Sequence, residues 1–209
     1  REILMRPAEN IIAEPCRRNT APCIALAAAL IKRKCEDATM IILPADHRIA
    51  PVKRFQEDLI DCINQAQNGS LTILGVTPDK PATGYGYIYA GEKIAPGIYN
   101  VNAFREKPDF ETAQHYIMDG NYWWNCGIFV WQVKTIAEAF KQYCPALYEK
   151  FESWASGNDY LSDFETCEKI SIDYAIMEKA DHVAVKQASF QWNDLGTLGA
   201  LYEITMKDF

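Results

Sequence analysis

Residues 40–49 read MIILPADHRI, and this stretch decides the fold prediction. The four apolar residues at its start are typical of a buried strand that ends at Pro44. Asp46 and His47 then follow the carboxyl end of that strand. Because ligands of open α/β sheets bind beyond the carboxyl ends of the strands, Asp46 is a candidate site residue.

The sequence on both sides of this stretch alternates between strand and helix patterns. Strands are predicted over residues 10–15, 39–44 and 70–78, and helices over residues 20–34 and 51–69. Thr20 is the predicted N-cap of the first helix. Near-continuous apolar strands separated by helices favour an α/β fold, with a mostly parallel sheet and helices on both faces.

The second half of the chain has a different pattern. Residues 84–92 and 97–108 are predicted to form antiparallel strands, and a helix is predicted over residues 110–119. Further strands are predicted over residues 124–132 and 182–187, and helical segments over residues 133–167, 171–180 and 195–208. Because no repeat or linker interrupts this order, the sequence predicts a single domain over residues 1–209.

Composition narrows the function classes. The 209 residues carry a net charge of −7, with 49% hydrophobic and 23% charged residues, which is typical of a globular protein. Without a basic run, nucleic-acid binding is not expected, and no apolar run approaches the ~20 residues of a membrane span. The seven scattered cysteines form no C-x-x-C pair, so we expect reduced thiols in a cytoplasmic protein.

Acidic residues in two distant loops suggest a metal site. Asp46 lies beyond one predicted strand, and Asp194 lies in the turn QWNDLG before the last predicted helix. Two such carboxylates suit Mg²⁺, which binds one or two carboxylates together with phosphate oxygens. Since Asp is common in turns, capping of these two turns is the competing interpretation.

Three further motifs contain candidate site residues in or beside predicted strands. FREKPD places Glu106 and Lys107 before Pro108; a carboxylate suits sugar hydroxyls and a lysine suits phosphate, although a surface charge pair is the alternative. TGYGYI contains two glycines, of which Gly86 is the candidate site residue; they indicate close approach by a ligand or another backbone, with a bulge or tight bend as the alternative. Asn125 interrupts the apolar stretch YWWNCGIFVW and therefore needs hydrogen-bonding partners.

Taken together, these motifs resemble those of one family. EPCRRNTAPCIALAA, LPADHRI, PATGYGYI, FREKPD, YWWNCGIF, SIDYAIMEKA and WNDLGT occur in the order found in bacterial mannose-1-phosphate guanylyltransferases, a branch of the sugar nucleotidyltransferases. The resemblance implies a Rossmann-like nucleotidyltransferase domain that transfers GMP from GTP to α-D-mannose 1-phosphate. It also implies Mg²⁺ as cofactor and in-line attack of the sugar phosphate on the α-phosphorus.

The resemblance also implies a role for each candidate residue. Asp46 and Asp194 match the metal-binding aspartates, and with Lys107, which matches the lysine on the sugar phosphate, they form the catalytic set. The positions that match nucleotide-binding residues are Glu14, Asn19 and Thr20, and those that match sugar-binding residues are Gly86, Glu106 and Asn125.

The chain departs from the family pattern mainly at its ends. It lacks the family's first strand and Gly-rich, Arg-containing loop, as well as a C-terminal extension, so the 209-residue chain alone is expected to be inactive. Cys126 replaces a common serine, which we interpret as packing. The alternatives to a mannose-1-phosphate guanylyltransferase are a non-catalytic sugar-nucleotide-binding module and an enzyme of the same fold that uses another sugar 1-phosphate. A homodimer is compatible with each of these functions.

Overall fold

The computed structural model describes residues 7–195, which belong to two compact units. The helical unit comprises residues 7–38 and 136–180, and the sheet unit comprises residues 39–135 and 181–195. The candidate metal, phosphate and sugar residues all lie in the sheet unit, whereas Glu14, Asn19 and Thr20 lie in the helical unit.

Eight strands are described in the sheet unit. They are β1 (Thr39–Ile42), β2 (Arg48–Ala50), β3 (Leu71–Val76), β4 (Tyr87–Ala95), β5 (Ile98–Arg105), β6 (Tyr122–Gln132), β7 (Val183–Gln187) and β8 (Gln191–Asn193). Six of them form one sheet in the order β1-β6-β3-β7-β5-β4, and β2 pairs with β8 in a separate ladder. Of the predicted strands, those around β1, β3, β4, β5, β6 and β7 are all present.

The predicted α/β class is confirmed, and the sheet is mixed. Among the described pairings only β3–β7 is parallel, because β6 lies between β1 and β3 and runs antiparallel to both. Four strands, β1, β3, β4 and β7, share one direction, and β5 and β6 run in the opposite direction. Most strands are therefore parallel to one another, as expected, but most neighbouring strands are antiparallel. A strand that pairs with partners distant in sequence, such as β6, can enter the sheet in either direction, and local sequence patterns do not determine that direction.

Helix α2 (Val52–Gln67) packs on this sheet through its apolar stripe. Cys62 and Ala66, both fully buried, meet Leu74 of β3 and Ile128 of β6 in one core cluster. A second helix, α3 (Phe110–Asp119), begins at the capping carboxylate of Asp109, which accepts from the Thr112 amide at 2.8 Å. Both helices match their predicted ranges.

The helical unit contains α1 (Thr20–Lys32), α5 (Pro145–Ala155) and most of α4 (Val133–Tyr143). Its core includes Phe140, Phe151, Trp154 and Phe164. Lys32 at the end of α1 forms an ion pair with Glu152 of α5 at 2.8 Å. None of the helices in residues 7–195 combines the length and the hydrophobicity that crossing a bilayer requires.

Three local predictions need correction or lie outside the described residues, and one ladder was not predicted. Residues 10–15 form no strand, because this segment pairs with no other strand in the described structure. Residues 171–180 contain only one short turn of helix, Asp173–Met177. The ladder of β2 and β8 was not predicted, since three-residue strands carry too little pattern. The predicted helix over residues 195–208 lies almost entirely outside the described residues.

Candidate active site

The ladder of β2 and β8 brings the two candidate metal ligands to one place. The strands are antiparallel, with Arg48 opposite Asn193 and Ala50 opposite Gln191. Asp46 lies two residues before β2 begins, and Asp194 lies one residue after β8 ends. Because the start of one antiparallel strand lies beside the end of its partner, the two carboxylates share one end of the ladder.

His47 lies at the same end of the ladder and is held by Trp192. The indole Nε1–H of Trp192 donates to Nδ1 of His47 at 3.0 Å, and the two rings meet edge-on with centroids 5.3 Å apart. Burial lowers the pKa of His47, while the charges of Asp46 and Asp194 act in the opposite direction. Both carboxylates are therefore close enough to the imidazole to act on it, as the ladder register requires.

Tyr85 orients the Asp194 carboxylate. Its hydroxyl donates to Oδ1 of Asp194 at 3.1 Å, and its ring packs edge-on against Trp124 and Trp192. Burial, followed by the charge of Asp194, raises the pKa of Tyr85 to about 12. The phenol therefore stays protonated at neutral pH and serves Asp194 as a hydrogen-bond donor.

Gly86 lies against both of the other candidate sugar-binding residues, Glu106 and Asn125. The backbone N–H of Asn125 donates to the Gly86 carbonyl at 2.8 Å. A Cβ atom on Gly86 would lie 2.5 Å from Oε2 of Glu106 and 3.4 Å from Cβ of Asn125. The glycine therefore leaves room for the Glu106 carboxylate, and close approach by a ligand at this position stays a prediction.

Lys107 reaches the same side as Glu106 because the backbone turns there. Strand β5 ends at Arg105, and Lys107 adopts a left-handed φ of 46° while its amide donates to the Tyr85 carbonyl at 3.2 Å. The Lys107 ammonium lies 3.5 Å from Oε1 of Glu106. The Glu106 side chain is 12% exposed and that of Lys107 is 62% exposed, so the pair presents a cation to solvent beside an enclosed carboxylate.

Strand β6 contributes Asn125 to the site, and the next residue, Cys126, is buried in the core. Asn125 Oδ1 accepts from the Gly127 amide at 2.8 Å, which fixes the side chain at the bend where Gly127 has a left-handed φ of 69°. The Cys126 thiol donates to the Leu74 carbonyl at 3.2 Å, and burial raises its pKa to about 12. Cys126 is a packing residue, because a buried and protonated thiol is a poor nucleophile.

The three candidate nucleotide-binding residues lie in the helical unit, and the first of them, Glu14, is exposed. Burial raises the pKa of the Cys23 thiol to about 11, with the charge of Glu14 and a hydrogen bond to it as further causes. Asn19, rather than Thr20, is the N-cap of α1, because Asn19 Oδ1 accepts from the Thr20 amide at 2.8 Å. Thr20 Oγ1 instead accepts from the Ile172 amide at 2.8 Å.

The carboxylates of Asp46 and Asp194 fit a hard cation by chemistry. Mg²⁺ binds oxygen ligands and takes only one or two protein carboxylates, with water and phosphate oxygens completing its shell. Within residues 7–195, no group of three or more His, Cys, Asp and Glu side chains could enclose a metal ion. Two carboxylates suit Mg²⁺ rather than a structural Zn²⁺, whose sites contain mainly Cys and His.

Tyr85 and Trp192 are site residues that sequence patterns alone do not single out. Both occur within quoted motifs, TGYGYI and QWNDLG, but their roles depend on the pairing of β2 with β8. Only that pairing sets Trp192 against His47 and Asp194 beside Tyr85.

A mixed α/β sheet with a polar site of carboxylates, a lysine and an asparagine at its strand ends is typical of α/β proteins that bind ligands at the edge of the sheet. The profile of the family described as nucleotidyl transferase matches residues 2–209. The chain belongs to the nucleotidyl transferase family.

Individual relatives point in the same direction. The chain is 38% identical over 217 residues to the mannose-1-phosphate guanylyltransferase of Escherichia coli K12, covering 97% of this chain and 45% of that protein. A crystal structure described as mannose-1-phosphate geranyltransferase from Thermus thermophilus superposes with a TM-score of 0.88 at 34% identity, covering 93% of this chain and 57% of that one. A structure described as mannose-6-phosphate isomerase from Helicobacter pylori superposes with a TM-score of 0.75 at 26% identity, covering 87% of this chain and 72% of that one. The chain spans about half the length of the curated relatives it matches.

Proposed function

We propose that the protein transfers GMP from GTP to α-D-mannose 1-phosphate, forming GDP-mannose and releasing pyrophosphate. One observation carries the proposal: Gly86, Glu106 and Asn125 form a contiguous polar cluster beside Lys107. An enclosed carboxylate and an amide suit sugar hydroxyls, and an exposed ammonium next to them suits the phosphate on the same sugar. The names of the relatives support mannose and guanine as the specific groups.

The proposed chemistry depends on positioning and charge neutralisation. An oxygen of the sugar phosphate attacks the α-phosphorus of GTP in line, and pyrophosphate leaves on the opposite side. Lys107 holds the attacking phosphate by its charge, and Glu106 and Asn125 orient the sugar. When bound by Asp46 and Asp194, Mg²⁺ supplies charge neutralisation for the phosphates.

Glu14 is the proposed determinant of base choice, with Asn19 and Thr20 as the neighbouring nucleotide-binding positions. A carboxylate can accept from both N1–H and the 2-amino group of guanine, a pair of donors that adenine and uracil lack. Its exposure to solvent supports this role.

Two other functions are outcomes of the same test. The full-length protein is incubated with GTP, Mg²⁺ and mannose 1-phosphate, and pyrophosphate release is followed, with glucose 1-phosphate and UTP as alternative substrates. Release that depends on both GTP and mannose 1-phosphate supports the proposal. Preference for another sugar phosphate or nucleotide identifies a different enzyme of the same fold, and binding without release identifies a non-catalytic module.

Cellular location and assembly belong to the proposal as well. All seven cysteines are free thiols, which suits the reducing cytoplasm. The homodimer with which the sequence is compatible remains a prediction, and sedimentation of the full-length protein tests it.

A further inference from the structure

A buried charge cluster on α2 lies outside the proposed substrate contacts. Asp58 is 3% exposed, and its Oδ1 lies 3.4 Å from the ammonium of Lys186 on β7. Lys186 also forms an ion pair at 2.8 Å with Asp61, whose side chain is 46% exposed. A buried carboxylate is costly unless it is paired and hydrogen-bonded, so the second oxygen of Asp58 needs partners of its own.

Those partners belong to the segment that leads to Asp194. Oδ2 of Asp58 accepts from the Ser189 amide at 2.7 Å and from the Ser189 hydroxyl at 2.9 Å. The preceding residue, Ala188, donates its amide to the Gly75 carbonyl at 2.8 Å. Residues 188 and 189 are thus tied to β3 and α2 immediately before β8 begins.

Helix α2 holds both strands of the ladder that carries the carboxylates. Strand β2 ends one residue before Pro51, which caps α2, so Asp46 is joined to the start of this helix. One turn into α2, Phe55 packs edge-on against Phe190 with ring centroids 5.1 Å apart. The next contact along the helix is Asp58 with Ser189, so one face of α2 fixes the entry to β8.

We propose that Asp58 is a positioning residue, which sets the spacing of Asp46 and Asp194 by holding Ser189 against α2. This inference rests on the proposed function, because it assumes that the two aspartates bind the cation. Strand β8 has only three residues, and its ladder with β2 has three residue pairs. Its position therefore depends on anchors at its ends, and Asp58 supplies the polar anchor at the entry.

The test compares Asp58→Asn with Asp61→Asn in the full-length protein. Both variants remove one carboxylate partner of Lys186, but only Asp58→Asn changes the contacts to Ser189. Binding of Mn²⁺ in the presence of GTP is measured by electron paramagnetic resonance, and the half-saturating Mg²⁺ concentration is measured separately from kcat. Loss of a residue that orients metal ligands typically weakens metal binding about 10–100-fold.

We expect Asp58→Asn to weaken Mn²⁺ binding by about tenfold or more and Asp61→Asn by no more than about twofold. Equal shifts in the two variants, or no shift in Asp58→Asn, would overturn the inference. If Asp58→Asn does not fold, Ser189→Ala replaces it, because it removes only the hydroxyl contact; an unchanged Mn²⁺ affinity in that variant likewise counts against positioning.

The proposed function fails separately. A wild-type protein that binds Mn²⁺ but releases no pyrophosphate from GTP and mannose 1-phosphate contradicts the function and leaves the comparison of the two variants intact. A wild-type protein that binds no Mn²⁺ contradicts the positioning role itself, because there is then no metal spacing to set.

Discussion

Gly86 shows how much a single missing side chain contributes to the sugar site. Because a Cβ atom there would lie 2.5 Å from Glu106 Oε2, Gly86→Ala must displace the carboxylate. We expect the dissociation constant for mannose 1-phosphate to rise about tenfold, which corresponds to about 1.4 kcal/mol. Isothermal titration calorimetry on the full-length protein measures this.

The same loop provides a matched control for this prediction. Gly84 lies two residues earlier, and a Cβ atom there would meet nothing within 4 Å. Gly84→Ala should therefore leave mannose 1-phosphate binding within about twofold of wild type and stability within about 1 kcal/mol. If both glycine variants weaken binding equally, displacement of Glu106 is not the cause.

Glu14 is the residue at which base choice can be tested. In Glu14→Gln the amide has a single acceptor oxygen and no charge, so it cannot accept from both guanine donors. We expect a loss of about 2–4 kcal/mol in GTP binding, measured by titration of the full-length protein. ITP, which lacks the 2-amino group, serves as the control: the preference of wild type for GTP over ITP should shrink in the variant. An unchanged preference assigns base recognition to another residue.

At the scale of elements, the start of α1 depends on the unusual backbone of Asn19. This residue has φ 67° and ψ −172°, a conformation that non-glycine residues rarely adopt, and its side chain caps the helix. Asn19→Ala loses the cap and keeps the strain, so we expect the free energy of unfolding to fall by about 1–2 kcal/mol in urea titrations.

Asn19→Gly is the matched variant, because glycine adopts this backbone without strain. It also loses the cap, yet replacement of a cap by glycine costs only a few tenths of a kcal/mol. We therefore expect Asn19→Gly to be clearly more stable than Asn19→Ala. Equal losses would show that the backbone conformation contributes nothing to the cost.

For the molecule as a whole, buried thiols predict a loss of stability at alkaline pH. Burial raises the pKa of Cys62 and Cys126, so the folded protein keeps both protons when the unfolded chain releases them. This contribution is fully present below the pKa of an unfolded thiol, about 8.5, and is lost as pH rises from there toward the folded values. Each thiol lowers the free energy of unfolding by about 1.4 kcal/mol per pH unit in that range.

Urea unfolding at pH 7, 8, 9 and 10 measures this slope. Replacing both Cys62 and Cys126 by Ala lowers stability at every pH, since it leaves cavities, but it should flatten the decline above pH 8.5. A slope that is the same in the wild type and in the double variant would show that other groups cause the alkaline loss.

Local sequence patterns predict the α/β class and most element boundaries, and they supply the candidate site residues. These features depend on local pattern, such as the apolar runs that form β1 and β3. At the site, the motif FREKPD places Glu106 and Lys107 beside each other, but the strand predicted over residues 97–108 ends earlier, at Arg105.

The way in which distant segments meet depends on tertiary packing. Strand β6 enters between β1 and β3 in the opposite direction, and the short strands β2 and β8 pair across more than 140 residues to bring Asp46 and Asp194 together. The contact of Asp58 with Ser189, and that of Gly86 with Glu106, are likewise between residues from separate elements. Such contacts depend on packing and register between elements far apart in the chain, and no single stretch of sequence carries that information.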